Sequence, residues 1–267
     1  MNLEQLFARL WQQYVHESPM ALEIYNLFLQ EGEYPTNDHI AFRTFNDPRV
    51  NVAKLGRFFE AWGYEAKGEY EFPAKKLYAR HYEHKTDARQ PKIFISELKT
   101  QEFSLFVQQQ AQACIDRIKP GLLAETELLY AGALWQVLDY EVYQKLLAES
   151  EYAAWFYMFG FRANHFTVFV NDLKKYTSIE AVNALLKQHG YELNAAGGEV
   201  KGRPDELLVQ SSTIANKVNA IFKQGRFEVL NSYYEFAKRY PKPDGRLYQG
   251  FLAASADKIF ESTNVKR

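Results

Sequence analysis

A strand-and-helix unit headed by a histidine occurs twice in this chain. The first begins at His39 in His39-Ile40-Ala41-Phe42-Arg43-Thr44-Phe45, the second at His165 in His165-Phe166-Thr167-Val168-Phe169-Val170. Each run leads to an amphipathic stretch that ends in the same tripeptide, Gly63-Tyr64-Glu65 in one copy and Gly190-Tyr191-Glu192 in the other. The glycine follows its histidine by 24 residues in the first copy and by 25 in the second. Such a duplication restricts the chain to folds made of two similar halves. A metal-capable residue at the same place in both points to a pseudo-symmetric site.

The periodicity fills in the rest. Residues 2–31 read as two helices, with Leu3, Leu6, Phe7, Leu10, Trp11 and Tyr14 on one stripe and Pro19 starting the second. In the first repeat, residues 39–45 form a strand. Val52, Leu55, Phe58, Phe59 and Trp62 mark a helix that stops at Gly63. Residues 65–72, 76–84 and 91–98 are the following strands. Residues 101–158 read as mostly helical. In the second repeat, Ser178 caps a helix through Gln188, and the runs 191–201, 207–222 and 226–239 are its strands, with a turn at Lys223-Gln224-Gly225. The expected fold class is α+β: two pseudo-symmetric βαβββ modules enclosing a metal cavity. The expected layout is one metalloenzyme domain with a helical segment 1–38, a first module 39–100, a helical insertion 101–160, a second module 161–240 and a helical tail 241–267.

Strand alternation places His39, Ala41, Arg43 and Phe45 on one face, and His165, Thr167 and Phe169 on one face of the second copy. The closing strand of each repeat holds an acid among apolar neighbours: Glu97 in Phe94-Ile95-Ser96-Glu97-Leu98 and Glu235 in Ser232-Tyr233-Tyr234-Glu235-Phe236. A carboxylate there is costly to desolvate unless a cation meets it. If the halves pack symmetrically, His39, His165, Glu97 and Glu235 surround one cavity. Two histidines and one carboxylate form a facial triad suited to non-haem Fe(II), whereas all four ligands make a more closed site suited to zinc or nickel. The plainer readings are a hydrogen-bonded histidine at each strand start and a Glu97 paired with a lysine at the sheet edge. Glu228 competes with Glu235 but lies near the solvent-facing Gly225 turn. Arg43, roughly 13 Å along the strand from His39, can reach the far end of a bound substrate and grip a carboxylate. Alternatively, it forms a structural ion pair. His81 and His84 fall on opposite strand faces and cannot converge on one ion; His84 reads as exposed. Gln210, Ser211 and Ser212 form a polar patch that lines a cavity or marks a strand irregularity.

Composition excludes several classes. The 267 residues carry a net charge of −1 with no basic run, which argues against nucleic acid or an anionic membrane as partner. No apolar stretch approaches the roughly 18 residues of a membrane span. The segment Met1-Asn2-Leu3-Glu4-Gln5-Leu6 has no secretory character. One cysteine, Cys114, precludes an internal disulfide and a thiolate-rich metal site, and fits a cytoplasmic location. Nothing in the pattern sets an oligomeric state.

The paired strand-helix-three-strand units resemble the vicinal oxygen chelate superfamily. The run Tyr233-Tyr234-Glu235-Phe236-Ala237-Lys238-Arg239 with Gly250-Phe251 and a helix is similar to the end of 4-hydroxyphenylpyruvate dioxygenase-like enzymes. More closely, the chain resembles the 2-oxoadipate dioxygenase/decarboxylase family. That resemblance rests on Asp38-His39-Ile40-Ala41-Phe42-Arg43, Pro91 to Leu98, Asn164-His165-Phe166-Thr167, Gln210-Ser211-Ser212-Thr213, Tyr234-Glu235-Phe236-Ala237 and Ala256 to Thr263. It implies Fe(II) held by His39, His165 and Glu235, Arg43 on the substrate's distal carboxylate, and a pocket lined near Ala254 and Ser255. It further implies that a small 2-oxo acid and O₂ are the substrates, with 2-oxoadipate giving 2-hydroxyglutarate and CO₂. The rivals are a non-redox metal-dependent isomerase or hydrolase on the same fold and a metal-free protein that binds a small carboxylate.

Overall fold

The structure, a computed structural model, describes residues 1–135 and 137–263; Gln136 and the last four residues of the expected tail lie outside the described residues. Helices α1 (Leu3–Glu17) and α2 (Pro19–Gln30) come first, α1 opened by a capping box between Asn2 and Gln5 and α2 by Pro19 in its first turn. The first module is β1 (Asn37–Phe45), α3 (Val52–Glu60), β2 (Tyr64–Phe72), β3 (Leu77–His84) and β4 (Lys92–Leu98). Helices α4 (Leu105–Ile115), α5 (Tyr140–Glu149) and α6 (Glu151–Phe159) form the insertion. The second module holds β5 (Ala163–Phe169), α7 (Ile179–Gln188), β6 (Leu208–Ser212), β7 (Lys217–Phe222), β8 (Gly225–Leu230) and β9 (Glu235–Arg239), and α8 (Ala253–Phe260) follows. Among the described residues no helix is long and apolar enough to cross a membrane.

Seven strands form one sheet in the order β2-β3-β4-β1-β5-β9-β6. The duplication is visible in its pairing. The leading strand of each half runs parallel to that half's closing strand (β1 with β4, β5 with β9), and an antiparallel β1–β5 pair joins the halves at the centre. The central strands are buried on both faces: every residue of β1 from Asp38 to Phe45 is inaccessible. One face packs on helices, through Phe42 against Phe59 of α3 (ring centroids 5.5 Å apart) and Phe166 against Trp11 of α1 (5.1 Å). The other face carries His39 and His165 and is covered by the segment leading into α8, where Phe251 meets the His39 ring edge-on at 4.8 Å.

The second module departs from the expected strands. Residues 191–201 contribute only isolated bridges, Leu193 to Thr213 and Lys201 to Gln210. Between them Gly197 (φ 70°) and Gly198 (φ 99°) turn the backbone into conformations that a ladder cannot continue through. The runs 207–222 and 226–239 are each broken as well. Their middle parts, β7 and β8, fold out as a separate hairpin around the expected turn, and only β6 and β9 stay in the main sheet. The alternating exposure of β7 has a solvated-hairpin pattern, unlike the fully buried β6.

Candidate metal centre and substrate pocket

Register decides which acid joins the histidines. Glu235 stands opposite Thr167, two residues beyond His165, and so shares its face. The equivalent place in the first half, opposite Ala41 and two residues beyond His39, belongs to Phe94. Glu97 is three residues further along β4 and faces the other way. Its Oε2 accepts from the backbone N–H of Val52 at 2.7 Å and caps the first turn of α3, where the helix dipole favours a negative charge. Glu97 is therefore neither a ligand, nor a group beside the ligands, nor the partner of a sheet-edge lysine. Replacing it with alanine is expected to cost about 1–2 kcal/mol in urea unfolding, the loss of a helix cap, while metal stoichiometry stays unchanged. Glu228 lies on the exposed hairpin beside Lys217, 2.8 Å away.

His39, His165 and Glu235 are all buried, and one potential ligand atom from each lies within 4.8 Å of the others. His165 Nε2 is 3.1 Å from Glu235 Oε2, and His39 Nε2 is 3.6 Å from Glu235 Oε1. The approach of His165 Nε2 lacks hydrogen-bond geometry, so that buried nitrogen has no hydrogen-bond partner, although it lies in ion-pair range of the carboxylate. In each half the residue before the histidine fixes the ring: His39 Nδ1 meets Asp38 Oδ1 at 2.8 Å, and His165 Nδ1 meets Asn164 Oδ1 at 3.0 Å. Both partners are acceptors, so Nδ1 carries the proton and Nε2 presents its lone pair inward. Thr167 Oγ1 sits 3.1 Å from His39 Nε2, and Gln210 Nε2 donates to Glu235 Oε1. Burial, reinforced by the neighbouring His39 and Arg43, keeps the His165 imidazole below its ordinary pKa and therefore neutral. Burial would push Glu235 up, but the two histidines and Gln210 hold it below the usual carboxylate value. Two buried imidazoles that turn Nε2 inward and one buried carboxylate fit a divalent cation with open coordination positions.

Behind the triad lies a network that single-residue reading missed. Asp38 also receives Arg239 through two hydrogen bonds, Nε to Oδ2 at 2.6 Å and Nη2 to Oδ1 at 2.8 Å, with both side chains fully buried. Arg239 Nη1 donates to the carbonyls of Tyr248 and Gly250, tying the segment before Phe251 to the same point. Burial would raise the Asp38 pKa; Arg239 and the His39 hydrogen bond override it and hold the carboxyl far below its ordinary range. Asp38→Asn is expected to cost about 3–5 kcal/mol of stability, because it leaves Arg239 buried without its counter-charge, and to weaken metal binding about 10–100-fold. The native pKa lies below the unfolded value of about 3.9, so this stabilisation is complete above that pH and lost as pH falls toward the native value. The variant's stability should therefore vary less with pH on the acid side, a difference that urea unfolding at several pH values reads directly.

Arg43 is 2% exposed. Its Nε and Nη1 have no hydrogen-bond partner, and Nη2 has only Thr263 Oγ1 at 3.4 Å. The guanidinium lies over Tyr152 (4.9 Å) and Trp155 (5.0 Å) of α6, with Phe260 of α8 at 6.0 Å. No close ion pair holds it among the described residues, so the structural ion pair is not what Arg43 forms. The insertion thus builds the wall behind Arg43: Tyr152 Oη is fastened to the Ser96 carbonyl at 2.6 Å and the Thr44 N–H at 2.9 Å. Tyr233, another residue the sequence did not single out, stacks on His165 at 4.6 Å, and its buried hydroxyl also has no partner. The signal was its place two residues before Glu235, an alternate position in the run 226–239 expected to be strand, although β9 itself begins only at Glu235.

The triad cavity is lined further by Phe94, Gln210, Tyr233, Phe251, Ala256 and Phe260. Phe260 also borders the cavity of about 400 Å³ at Arg43. Ser255 is not on this wall. Its Oγ sits beside Gly202, where an added Cβ would meet it at 3.3 Å, and the next residue of the helix, Ala256, faces the cavity instead. Of the polar patch, only Gln210 joins the site, and β6 pairs with β9 without irregularity. Ser211 binds Asn183 at 2.7 Å and Ser212 meets Ser262 at 2.9 Å. His81 is buried outside the triad, between Tyr70 (2.8 Å) and Glu83 (2.9 Å). His84, expected to be exposed, is half-buried, and its Nδ1 accepts from the Asp87 N–H at 3.1 Å.

The profile of the 2-oxoadipate dioxygenase/decarboxylase family matches residues 8–247. The chain belongs to that family. It is 35% identical to a 2-oxoadipate dioxygenase/decarboxylase of Oryza sativa subsp. japonica plastids over 94% of this chain and 76% of the relative. A structure of hydroxyglutarate synthase from Oryza sativa in complex with 2-oxoadipate superposes with a TM-score of 0.91 at 33% identity, covering 98% of this chain and 91% of the other. A protein of Shewanella frigidimarina, described provisionally as a hydrolase, is 49% identical with a TM-score of 0.88, covering 95% and 98% of the two chains. The fold is shared, at 22% identity and a TM-score of 0.76, with a protein of Ralstonia eutropha described provisionally as of the glyoxalase superfamily, covering 93% of this chain and 85% of the other.

Proposed function

We propose that this chain is an Fe(II)-dependent dioxygenase/decarboxylase of a small 2-oxo dicarboxylic acid, 2-oxoadipate being the first choice, with 2-hydroxyglutarate and CO₂ as products. The observation that carries this reading is the set of unsatisfied buried polar groups in and beside one pocket: His165 Nε2, the Tyr233 hydroxyl, and Arg43 Nε and Nη1. Buried polar groups without partners are costly and mark places where a ligand completes the bonding. His39, His165 and Glu235 would hold the metal. Bound there, Fe(II) supplies the redox chemistry with O₂ and a chelation point for the keto acid. The protein's part is orientation. Asp38 and Asn164 keep both imidazoles turned inward, and Arg43 receives the distal carboxylate through its free nitrogens. Phe94, Phe251 and Phe260 keep water from the reacting end. Phe94 in the place symmetric to Glu235 removes a fourth protein ligand and so leaves coordination positions that protein groups do not fill.

Oxygen uptake by anaerobically Fe(II)-loaded protein tests the reading, with 2-oxoadipate compared against shorter and longer 2-oxo acids. Uptake with 2-oxoadipate and equimolar CO₂ is expected. Absence of uptake with every 2-oxo acid removes the oxygenase reading, and turnover with zinc or nickel in place of iron would favour the isomerase or hydrolase alternative.

A further inference from the structure

We propose that the cleft at the Lys92 end of the sheet, opposite the Arg43 end, is a second anion site that takes an organic carboxylate. The cleft has a volume of about 930 Å³, within the size range of small-molecule pockets. Lys92 opens β4, stands in register with His39 and is 95% buried, with 5% of its surface exposed. Among the described residues it makes no hydrogen bond and no close ion pair.

The other charges of the cleft are already engaged. Lys67 is 2.6 Å from Glu65, Arg89 is 3.3 Å from Asp87, and both Lys242 and Arg246 reach Asp244, at 3.5 and 2.7 Å. On the acidic side, Asp38 is taken by His39 and Arg239, Glu83 by His81, and Asp172 accepts from Thr36 at 2.5 Å. Among the described residues of the cleft, Lys92 is the cation without a hydrogen bond or a close ion pair; Asp38 and Glu83 act on it only at longer range, and an anion in the cleft would supply the close contact they do not. Burial, with Arg239 nearby, draws its pKa down to about 8 while Asp38 and Glu83 oppose the shift, which still leaves it cationic at neutral pH.

The rest of the lining selects an organic acid over a bare inorganic ion. Phe169, Leu247 and Tyr248 supply an apolar wall, and Gln90 and Gln249 supply neutral hydrogen-bonding groups beside it. The site is distinct from the triad cavity. The Asp38–Arg239 pair and Phe251 stand between them, with Phe251 5.1 Å from the Arg239 guanidinium and 4.8 Å from the His39 ring.

Calorimetric titration of the full chain with glutarate tests the site, in an Arg43→Met background so that the Arg43 end does not contribute. One saturable binding event is expected there. The size-matched Lys92→Met and the polar Lys92→Gln should each weaken it at least about tenfold, the loss of a charged hydrogen bond, while Lys92→Arg retains it. Inorganic phosphate should bind more weakly than glutarate, because it cannot use the apolar wall. Absence of saturable glutarate binding in the Arg43→Met background, or binding unchanged by both neutral substitutions, overturns the proposal; phosphate binding as tight as glutarate overturns the organic class. Oxygenase turnover does not enter this readout, so its failure and the failure of this site are separately visible.

Discussion

Glu235→Gln is expected to give a folded chain that no longer retains Fe(II) and whose 2-oxoadipate-dependent O₂ uptake falls by at least about 10³-fold, because a ligand set acts as a unit and fails as one. The folded state should survive because burial keeps the neighbouring His165 ring neutral, so that ring loses no counter-charge. The substituted amide also preserves side-chain volume beside Gln210, whose own amide already reaches this position. His39→Ala and His165→Ala should abolish metal binding equally, but each also opens a cavity beneath Phe251 or Tyr233, which pack directly on those rings. Metal content by elemental analysis, read beside the unfolding midpoint, separates lost ligation from lost fold. Full iron occupancy in Glu235→Gln would sink the triad assignment.

Arg43→Met should change selectivity more than it changes the chemistry. The guanidinium has two buried nitrogens without a hydrogen-bond partner, and a carboxylate bound to them gains charged hydrogen bonds that nothing in the protein supplies. Losing one partner of a buried charged pair costs about 2–5 kcal/mol, so kcat/KM for 2-oxoadipate should fall about 10²–10³-fold. For 2-oxohexanoate, which has the same chain length but no distal carboxylate, kcat/KM should hold or rise, since the unpaired buried cation that penalises it is gone. The variant should also be at least as stable as the parent, because methionine fills the space between Tyr152, Trp155 and Phe260 without an unsatisfied charge. Equal losses on both substrates would place Arg43 outside distal-carboxylate recognition.

Much of the site was legible because it is carried by local pattern. The two histidines head strands with period-two alternation, and the repeat sets them at matching places. The helices α1, α2, α3 and α7 follow from apolar stripes, with Pro19 and Ser178 marking two of their starts. The motifs Asp38-His39 and Asn164-His165 even display the groups that orient each ring, although an acidic or amide neighbour becomes an orienting group only when the backbone turns it toward Nδ1. The choice between Glu97 and Glu235 was not legible in pattern alone. Both sit in apolar runs on closing strands, and only the pairing of each strand with its histidine strand shows that one faces the cavity while the other faces α3.

From the sequence alone came the α+β class, the duplication, the identity of both histidines and the candidacy of Arg43 and Glu235, because these rest on spacing within a strand or helix. The tertiary structure alone decided that Phe94 takes the symmetric acid's place and that Arg239 anchors Asp38 from a strand about two hundred residues away. It alone also showed that the insertion supplies Tyr152 and Trp155 around Arg43, that Ala256 rather than Ser255 faces the pocket, and that Lys92 is left buried without a close partner. Each of these depends on register, crossing or packing between segments far apart in the chain. A one-residue shift in register reverses which face a side chain occupies, and nothing local to that side chain records it.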